Sequence, residues 1–182
     1  MQACILSFSS RKGGNCDCIA DLIAQNVEGM VSQFSFSTLA VTGCGQCGYA
    51  CFRDRMQCPY IQDAVCDIFD AMLESRMTYW VVPNYCDYPC SNFFLLNERS
   101  QCYFNGRPKR MEQYLSVPKK FVVVSNTGRE NFTTAFCDHI TPGEKPDILF
   151  LSAAQYHKIS LSGDLMTSQA AQQTLLQFIG VE

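Results

Sequence analysis

A short loop near the start of the chain combines residue types that bind anions. It lies between the apolar run ACILSF and a helical pattern, and it offers serine hydroxyls, a guanidinium group and paired glycines. Glycines let backbone N–H groups approach a ligand, and the start of the next helix adds partial positive charge. The residues concerned are Ser9, Ser10, Arg11, Gly13, Gly14, Asn15 and Cys16. This combination suits a phosphate monoester; the alternative is a solvated turn in which Asn15 caps the helix.

Two further polar loops follow apolar runs. Pro83 ends the run TYWVV, and Tyr85 and Tyr88 then supply flat apolar faces on which a ring can stack. The alternative is an aromatic turn that only fills its own loop. The other loop follows KFVVVS and contains Asn126 and Thr127, which either contact a ligand or cap the next helix.

A separate segment, which we call the cysteine loop, carries four of the twelve cysteines in the chain. The four are Cys44, Cys47, Cys51 and Cys58. Four thiolates on one short loop can converge on a tetrahedral metal ion or on a [4Fe–4S] cluster, and free thiols are the third interpretation. The start of the sequence shows no basic leader, so we expect a cytoplasmic protein with reduced thiols rather than a disulfide framework.

Composition excludes several classes of function. The 182 residues are 47% apolar and 17% charged, which is typical of a folded chain. The formal net charge is −3, so the basic excess of a nucleic-acid-binding protein is missing and we expect no such partner. No apolar run approaches the roughly 18 residues of a membrane span. The two histidines, His139 and His157, are far apart in sequence, which argues against a histidine-based zinc site.

The three polar loops and the cysteine loop must be positioned by the elements around them. Apolar runs predict five strands near residues 3–8, 34–38, 78–82, 120–125 and 147–151. Helical periodicity appears over residues 16–27, 61–73, 91–99 and 167–179, with a shorter helix near Met111. Near-continuous apolar strands that alternate with helices predict a parallel sheet covered on both faces. We therefore predict a single doubly wound α/β domain over residues 1–182.

The first loop carries a family resemblance. The segment FSSRKGGNC resembles the G-S-x-R-x-x-G-N-[TS] loop of the flavodoxin-like NAD(P)H-dependent FMN reductases, a family that includes iron–sulfur flavoproteins. The matching positions are Ser9, Arg11, Gly14 and Asn15. Phe8 replaces the usual Gly and Cys16 replaces the usual Thr or Ser. After the third predicted strand, Pro83 and Tyr85 match the P-x-Y segment of the same family.

The resemblance implies a flavodoxin-like fold with strand order 2-1-3-4-5 and a non-covalently bound FMN. It implies that the first loop holds the phosphate, the second loop the ring and the third loop the polar edge of the ring. The implied FMN-binding residues are Ser9, Ser10, Arg11, Gly14, Asn15, Cys16, Pro83, Asn84, Tyr85, Asp87, Asn126, Thr127 and Gly128. No side chain is nominated as catalytic, because the flavin carries the chemistry.

The implied activity is hydride transfer from NAD(P)H to FMN, followed by electron transfer to a small acceptor such as a quinone, free flavin or another protein. The first alternative is an electron carrier, or an iron–sulfur flavoprotein with a [4Fe–4S] cluster on the four loop cysteines. The second is a non-redox binding module whose phosphate loop has drifted. Exposed aromatic segments at residues 85–88 and 103–104 would be buried in a homodimer, which is the expected assembly.

Overall fold

A parallel sheet with helices on both faces forms the centre of the molecule. The structure is a computed structural model that describes residues 2–45 and 47–181. The strands are β1 (Gln2–Ser7), β2 (Met30–Ser35), β3 (Met77–Tyr85), β4 (Tyr88–Pro89), β5 (Lys119–Val124) and β6 (Asp147–Leu151). Five of them run parallel in the order β2-β1-β3-β5-β6, and the short β4 pairs antiparallel with the end of β3. The predicted order 2-1-3-4-5 is confirmed once β4, which was not predicted, is left out.

Helices connect the strands and cover the sheet. They are α1 (Asn15–Asn26), α2 (Ala64–Glu74), α3 (Ser91–Phe104), α4 (Pro108–Ser116), α5 (Arg129–Cys137) and α6 (Gln169–Ile179). Four short 3₁₀ turns lie at Ala50–Phe52, Arg55–Gln57, Ala153–Tyr156 and Leu165–Thr167. Within residues 2–45 and 47–181, no helix has the length and apolarity that a membrane crossing requires.

The alternation of side chains along the strands divides the core into two layers. Leu6 and Trp80 point to the layer formed with α2, α3, α4 and α5. Their neighbours Ile5 and Val81 point to the layer formed with α1 and α6. Because both faces of β1 and β3 are buried, these strands have continuous apolar sequences rather than alternating ones. This is why the sequence pattern identified them correctly.

The predicted position of the second strand is wrong. The strand was expected near residues 34–38, but β2 spans Met30–Ser35 and pairs with β1 from its first residue to its last. It is an edge strand, and Met30 at its start is 73% exposed, so no apolar run marks it. Phe36 lies beyond the end of β2, where its ring stacks on Phe8 with 5.0 Å between centroids.

The expectation that Tyr103 and Phe104 are exposed is also wrong. Helix α3 continues to Phe104, five residues beyond the predicted end, and both side chains are buried. The Tyr103 ring stacks on Phe69 of α2 at 4.8 Å, and the Phe104 ring contacts the same Phe69 at 5.0 Å. These rings join α2 to α3, so they belong to the core and are not available for a contact between two copies of the chain.

One lysine is buried at the opposite end of the sheet from the polar loops. Lys119, the first residue of β5, is only 5% exposed. Its Nζ donates hydrogen bonds to the backbone carbonyls of Tyr114 and Val117 near the end of α4. Burial away from water lowers the pKa of Lys119 to about 7. The Tyr114 hydroxyl in turn contacts Nδ1 of the buried His139 at 2.7 Å.

We predict that Lys119 makes stability rise with pH. Above about pH 7 the folded chain releases the Lys119 proton, whereas an unfolded lysine keeps its proton up to about pH 10.4. The unfolded state therefore binds more protons in this window, and stability rises by at most about 1.4 kcal/mol per pH unit. Urea unfolding of wild type and Lys119→Met at several pH values between about 7 and 8.5 measures this slope.

Lys119→Met is expected to flatten that slope. The comparison of the two proteins matters, because buried thiols with raised pKa values contribute the opposite slope at higher pH. Equal slopes for wild type and Lys119→Met would contradict the assignment.

Candidate functional site

A small cavity lies at the carboxyl edge of the parallel sheet, where β1, β3 and β5 end. Its volume is about 130 Å³. It is lined by Ser9, Arg11, Asn15, Cys16, Pro83, Asn84, Tyr85, Val124, Ser160 and Leu161. The structure thus brings together the first two predicted loops, together with a segment near residue 160 that the sequence had not indicated. The predicted residues Ser10, Gly14, Asp87, Asn126, Thr127 and Gly128 do not line this cavity.

The first loop holds Arg11 against a glycine. The Arg11 amide donates to the Ser9 hydroxyl at 3.0 Å, which closes a tight turn at the end of β1. A Cβ added to Gly14 would lie 2.9 Å from Nε of Arg11, so the guanidinium packs directly on this residue. Gly14 is also the N-cap of α1, and no side chain caps that helix within the described ranges. The positive end of α1 therefore faces the cavity beside the Arg11 cation.

Asn15 does not cap the helix, so that alternative interpretation is wrong. Its side-chain Nδ2 donates to the carbonyl of Ser160 at 3.1 Å, and its Oδ1 accepts from the amide of Leu165 at 3.0 Å. Asn15 is the first residue of α1 and is buried. It connects the first loop to the segment that follows β6. Burial also raises the pKa of the neighbouring Cys16, whose thiol is therefore neutral at physiological pH.

Asp17 is a structural member of the site that the sequence analysis missed. Its Oδ1 accepts hydrogen bonds from the hydroxyls of Ser7 at 2.6 Å and Ser35 at 2.8 Å. Its Oδ2 accepts from the amide of Gly13 at 2.8 Å. The carboxylate thus ties the ends of β1 and β2 to the first loop. The signal in the sequence was an acidic residue in the first turn of a helix, a common position without a functional meaning of its own.

Ser10 turns away from the cavity and meets α3. Its hydroxyl accepts a hydrogen bond from Nδ2 of Asn92 at 2.9 Å, and the same nitrogen donates to the carbonyl of Phe8 at 2.8 Å. The Phe8 carbonyl also accepts from the Cys90 thiol at 3.2 Å. Phe8 occupies the position of a motif glycine, and its ring is fully buried in the core. The loop conformation therefore tolerates a large side chain at this position.

Asn84, a residue of the cavity wall, has an unsatisfied acceptor in its side chain. Its Nδ2 donates to the hydroxyl of Ser125 and to the carbonyl of Thr127. A carbonyl can only accept, which fixes the orientation of the amide. The Oδ1 atom of Asn84 is therefore turned the other way, where it is buried without a partner among the described residues. Buried acceptors normally have a partner, and a hydrogen-bond donor on a ligand bound beside Asn84 would supply one.

The third loop forms a junction behind the cavity rather than its wall. The Thr127 hydroxyl donates to the carboxylate of Asp87, and Nδ2 of Asn131 donates to the Asp87 carbonyl at 2.9 Å. Asn126 accepts a hydrogen bond from the Ser152 hydroxyl. The N-cap of α5 is Gly128, without a side-chain cap bond, so the interpretation of Asn126 and Thr127 as helix caps is wrong.

The four predicted loop cysteines line a second cavity with a volume of about 210 Å³. A fifth thiol, Cys102 of α3, shares its wall and packs in a buried cluster with Cys51 and Cys58. Burial raises the pKa of Cys44 to about 11 and also raises that of Cys51 and Cys58. Among the residues that the structure describes, no three His, Cys, Asp or Glu side chains form a group that could hold a metal ion. The arrangement does not fit a single zinc ion.

A buried ion pair fixes the cysteine loop to α3. The Arg99 side chain is fully buried, and its guanidinium donates to both carboxylate oxygens of Asp63, at 2.5 and 3.1 Å. It also donates to the backbone carbonyls of Thr42 at 2.6 Å and Tyr60 at 3.0 Å. One side chain thus holds both ends of the loop. Sequence periodicity had placed Arg99 at a helix end, with no sign of this role.

Comparisons with known proteins establish the fold. No family model and no curated protein matches the sequence. The Trp repressor binding protein from Bacillus subtilis is similar in structure, with a TM-score of 0.59 and 14% identity over 100% of this chain and 99% of that one. The azoreductase from Bacillus anthracis str. Sterne has a TM-score of 0.61 and 8% identity over 97% and 99% of the two chains.

A third similar structure is the flavoenzyme NAD(P)H:(acceptor) oxidoreductase FerB from Paracoccus denitrificans. It has a TM-score of 0.54 and 12% identity over 98% of this chain and 94% of that one. At these identities the comparison establishes a shared architecture. Together with the strand order, it confirms the predicted flavodoxin-like fold.

We predict that Gly128 is required for the junction between the second and third loops. Its φ is +76°, and an added Cβ would lie 2.7 Å from the Cα and carbonyl oxygen of Asp87. Gly106 is the matched control, because its φ is +72° and an added Cβ would have no neighbour within 4 Å. Gly106→Ala should cost about 1–2 kcal/mol from backbone strain alone. Gly128→Ala should cost about 1–3 kcal/mol more, because it also overpacks the junction.

Urea unfolding of both variants measures the difference. Equal losses of stability would mean that the contact between Gly128 and Asp87 does not hold the two loops together.

Proposed function

We propose that the chain binds FMN non-covalently at the carboxyl edge of the sheet and works as an NAD(P)H-dependent reductase of a small acceptor. The observation that carries this proposal is that the residues of one cavity wall include both hydrogen-bond donors and an unsatisfied acceptor. The first loop offers cationic and neutral hydrogen-bond donors, whereas Asn84 offers a buried acceptor without a partner. A flavin nucleotide has an anionic phosphate for the donors and a ring N–H for the acceptor.

The phosphate would be held by the first loop. Arg11 supplies a planar fork of N–H donors, and such groups pair strongly with phosphate oxygens. The Asn15 amide and the Ser9 hydroxyl lie on the same wall, and the start of α1 adds its partial positive charge. The Cys16 thiol is neutral because burial raises its pKa, so it adds no repulsion to an anion at this wall.

The ring would lie on the second loop. Pro83 and Tyr85 provide apolar surface, and the orphaned Oδ1 of Asn84 can accept a hydrogen bond from a ring N–H. Tyr85 is 56% and Tyr88 is 54% exposed, so the rim of the site is accessible from solvent. When bound, FMN accepts hydride from a nicotinamide and passes electrons on. The residues of this chain bind and orient the group, and we assign none of them a catalytic role.

The names of the structural neighbours agree with this proposal, since they include an azoreductase and an NAD(P)H:(acceptor) oxidoreductase that is a flavoenzyme. The acceptor that we propose is a quinone, free flavin or another protein with a similar redox group. All twelve cysteines are free, which supports a reducing cytoplasmic location. The homodimer stays a prediction. Of the aromatic residues expected to be buried in it, only the exposed Tyr85 and Tyr88 still support it.

We predict that Arg11 distinguishes FMN from riboflavin, which lacks the phosphate. Arg11→Gln should weaken FMN binding about 10- to 100-fold, the cost of a lost hydrogen bond to a charged group, and leave riboflavin binding nearly unchanged. Lys12→Gln is the control, since it removes the same charge from a neighbour that does not line the cavity. Flavin fluorescence titrations measure the affinities of the wild-type protein and both variants for FMN and for riboflavin. Equal losses for Arg11→Gln and Lys12→Gln would place the phosphate elsewhere.

The reductase activity is tested with FMN-loaded protein. NADH and NADPH oxidation should proceed faster than with the same concentration of free FMN, with a quinone as acceptor. A rate no higher than that of free FMN would refute the reductase proposal. If FMN stays bound in that case, the electron-carrier alternative applies.

The cysteine cavity favours a second candidate function, an iron–sulfur flavoprotein. The thiolates of a [4Fe–4S] cluster bind different iron atoms, so they surround a cavity rather than meet at one point. Cys44, Cys47, Cys51 and Cys58 all line the same cavity, but the described residues form no group that holds a metal ion, so a cluster would require these thiols to move together. Protein purified without oxygen should then contain about four irons and four sulfides per chain. Iron-free protein with twelve reactive thiols after unfolding would rule out the cluster.

A further inference from the structure

A segment after β6 occupies the donors that the phosphate would need. We call residues 157–164 the strap; it lies between the 3₁₀ turns Ala153–Tyr156 and Leu165–Thr167 and crosses the first loop. Nη1 of Arg11 donates to the carbonyl of Leu161 at 2.8 Å, and Nη2 donates to the carbonyl of Ser160 at 3.3 Å. Nδ2 of Asn15 donates to the same Ser160 carbonyl at 3.1 Å. Two backbone carbonyls thus satisfy the anion-binding side chains of the cavity.

The strap also limits the size of the cavity. Ser160 and Leu161 form part of its wall, and the remaining volume is about 130 Å³. Ligand pockets for small molecules usually measure at least about 300 Å³. The space therefore suits the phosphate group alone, and the ring would lie on the exposed rim at Tyr85.

We propose that the strap is a gate: in the ligand-free protein its two carbonyls take the place of phosphate oxygens, and FMN binds by displacing them. The proposal rests on the proposed function, because it concerns the same donors. Arg11 and Asn15 have a limited number of N–H groups, and a phosphate oxygen at the same distance competes with a carbonyl oxygen for them. The charged phosphate wins this competition because its hydrogen bonds to a guanidinium are stronger.

The construction of the strap fits displacement. Its ends are anchored by the buried Ala153 and Leu165, which are 1% and 0% exposed. Between these anchors, Ile159 is 66% and Leu161 81% exposed, so no burial of large apolar side chains holds the middle in place. The middle is held by hydrogen bonds to Arg11 and Asn15, by a 3.8 Å contact from the Cys18 thiol to the Gly163 carbonyl, and by close packing of Gly163 on Gly13. Segments with few buried apolar contacts open at low free-energy cost.

A gate of this kind has a measurable consequence for ligand choice. Breaking the hydrogen bonds of the strap carbonyls offsets part of the free energy of phosphate binding, so the measured FMN affinity is lower than it would be without the strap. Riboflavin has no phosphate and does not compete with the strap. Weakening the strap should therefore tighten FMN binding without changing riboflavin binding. If the strap instead holds Arg11 and Asn15 ready for the phosphate, the same change would weaken FMN binding.

Gly163→Ala is the variant that weakens the strap. Gly163 has φ +72°, which strains an alanine, and an added Cβ would lie 3.1 Å from the carbonyl oxygen of Gly13, so the strap and the first loop must move apart by a few tenths of an ångström. We expect a three- to tenfold tighter FMN affinity, about the effect of one released neutral hydrogen bond, and an unchanged riboflavin affinity. Ile159→Ala is the control in the same strap, because its side chain is exposed and does not line the cavity. It should leave both affinities unchanged.

Hydrogen exchange of the wild-type protein tests the gate without a variant. The Leu165 amide donates to Oδ1 of Asn15 at 3.0 Å, and the Ser162 amide donates to the carbonyl of Ile159 at 2.9 Å. The Ser162 amide should exchange faster when FMN or inorganic phosphate is added, the anchored Leu165 amide should keep its protection, and riboflavin should affect neither.

The outcomes separate the gate from the proposed function. Weaker FMN binding by Gly163→Ala, or parallel changes for FMN and riboflavin, would overturn the gate and leave FMN binding intact. Unchanged or slower strap exchange with FMN would overturn it as well. If neither flavin binds the wild-type protein, the proposed function fails, and strap exchange with inorganic phosphate alone then decides the gate.

Discussion

Burial of β1 and β3 on both faces of the sheet constrains the rest of the molecule. Every side chain from Ala3 to Ser7 is buried, and so are those from Thr78 to Val82. These strands have no free face on which a ligand can bind. Polar chemistry is therefore confined to the loops at the strand ends, and at the carboxyl edge the loops after β1, β3, β5 and β6 meet. The small cavity lies at this meeting point.

Two hydrogen-bond networks hold the loops around that cavity. On one side, the Asp17 carboxylate joins Ser7, Ser35 and the Gly13 amide. On the other, Asn84 joins the Ser125 hydroxyl to the Thr127 carbonyl. These contacts fix the backbone on both sides of the site. The strap above it also has polar contacts, but Ile159 and Leu161 in its middle are exposed, and segments with few buried apolar contacts open at low free-energy cost.

The elements that the sequence predicted are those with a strong local signal. Strands β1, β3 and β5 are apolar runs because they are largely buried, and edge strand β6 is an apolar run of which only Leu151 is buried. The first loop is recognisable because glycine, arginine and serine each have a distinct local role. Edge strand β2 has no such signal. Its pairing with β1 depends on residues far away along the chain, so local periodicity misplaced it.

The parts that the sequence could not predict depend on contacts between distant segments. Arg99 meets Asp63 across 36 residues, Cys102 joins a cavity whose other thiols are at least 44 residues away, and the Ser160 carbonyl meets Asn15 across 145 residues. In the strap the functional groups are backbone carbonyls, which every residue has. No pattern of side chains can reveal them, and only the fold brings them to the Arg11 guanidinium.

A crystal structure of the protein with FMN tests the central claim most directly. The account predicts the phosphate between Arg11, Asn15 and the start of α1, and the ring beside Asn84 and Tyr85. It also predicts that the carbonyls of Ser160 and Leu161 no longer contact the donors of the first loop. Flavin density at another edge of the sheet, or a ring that leaves the Oδ1 of Asn84 without a partner, would contradict it.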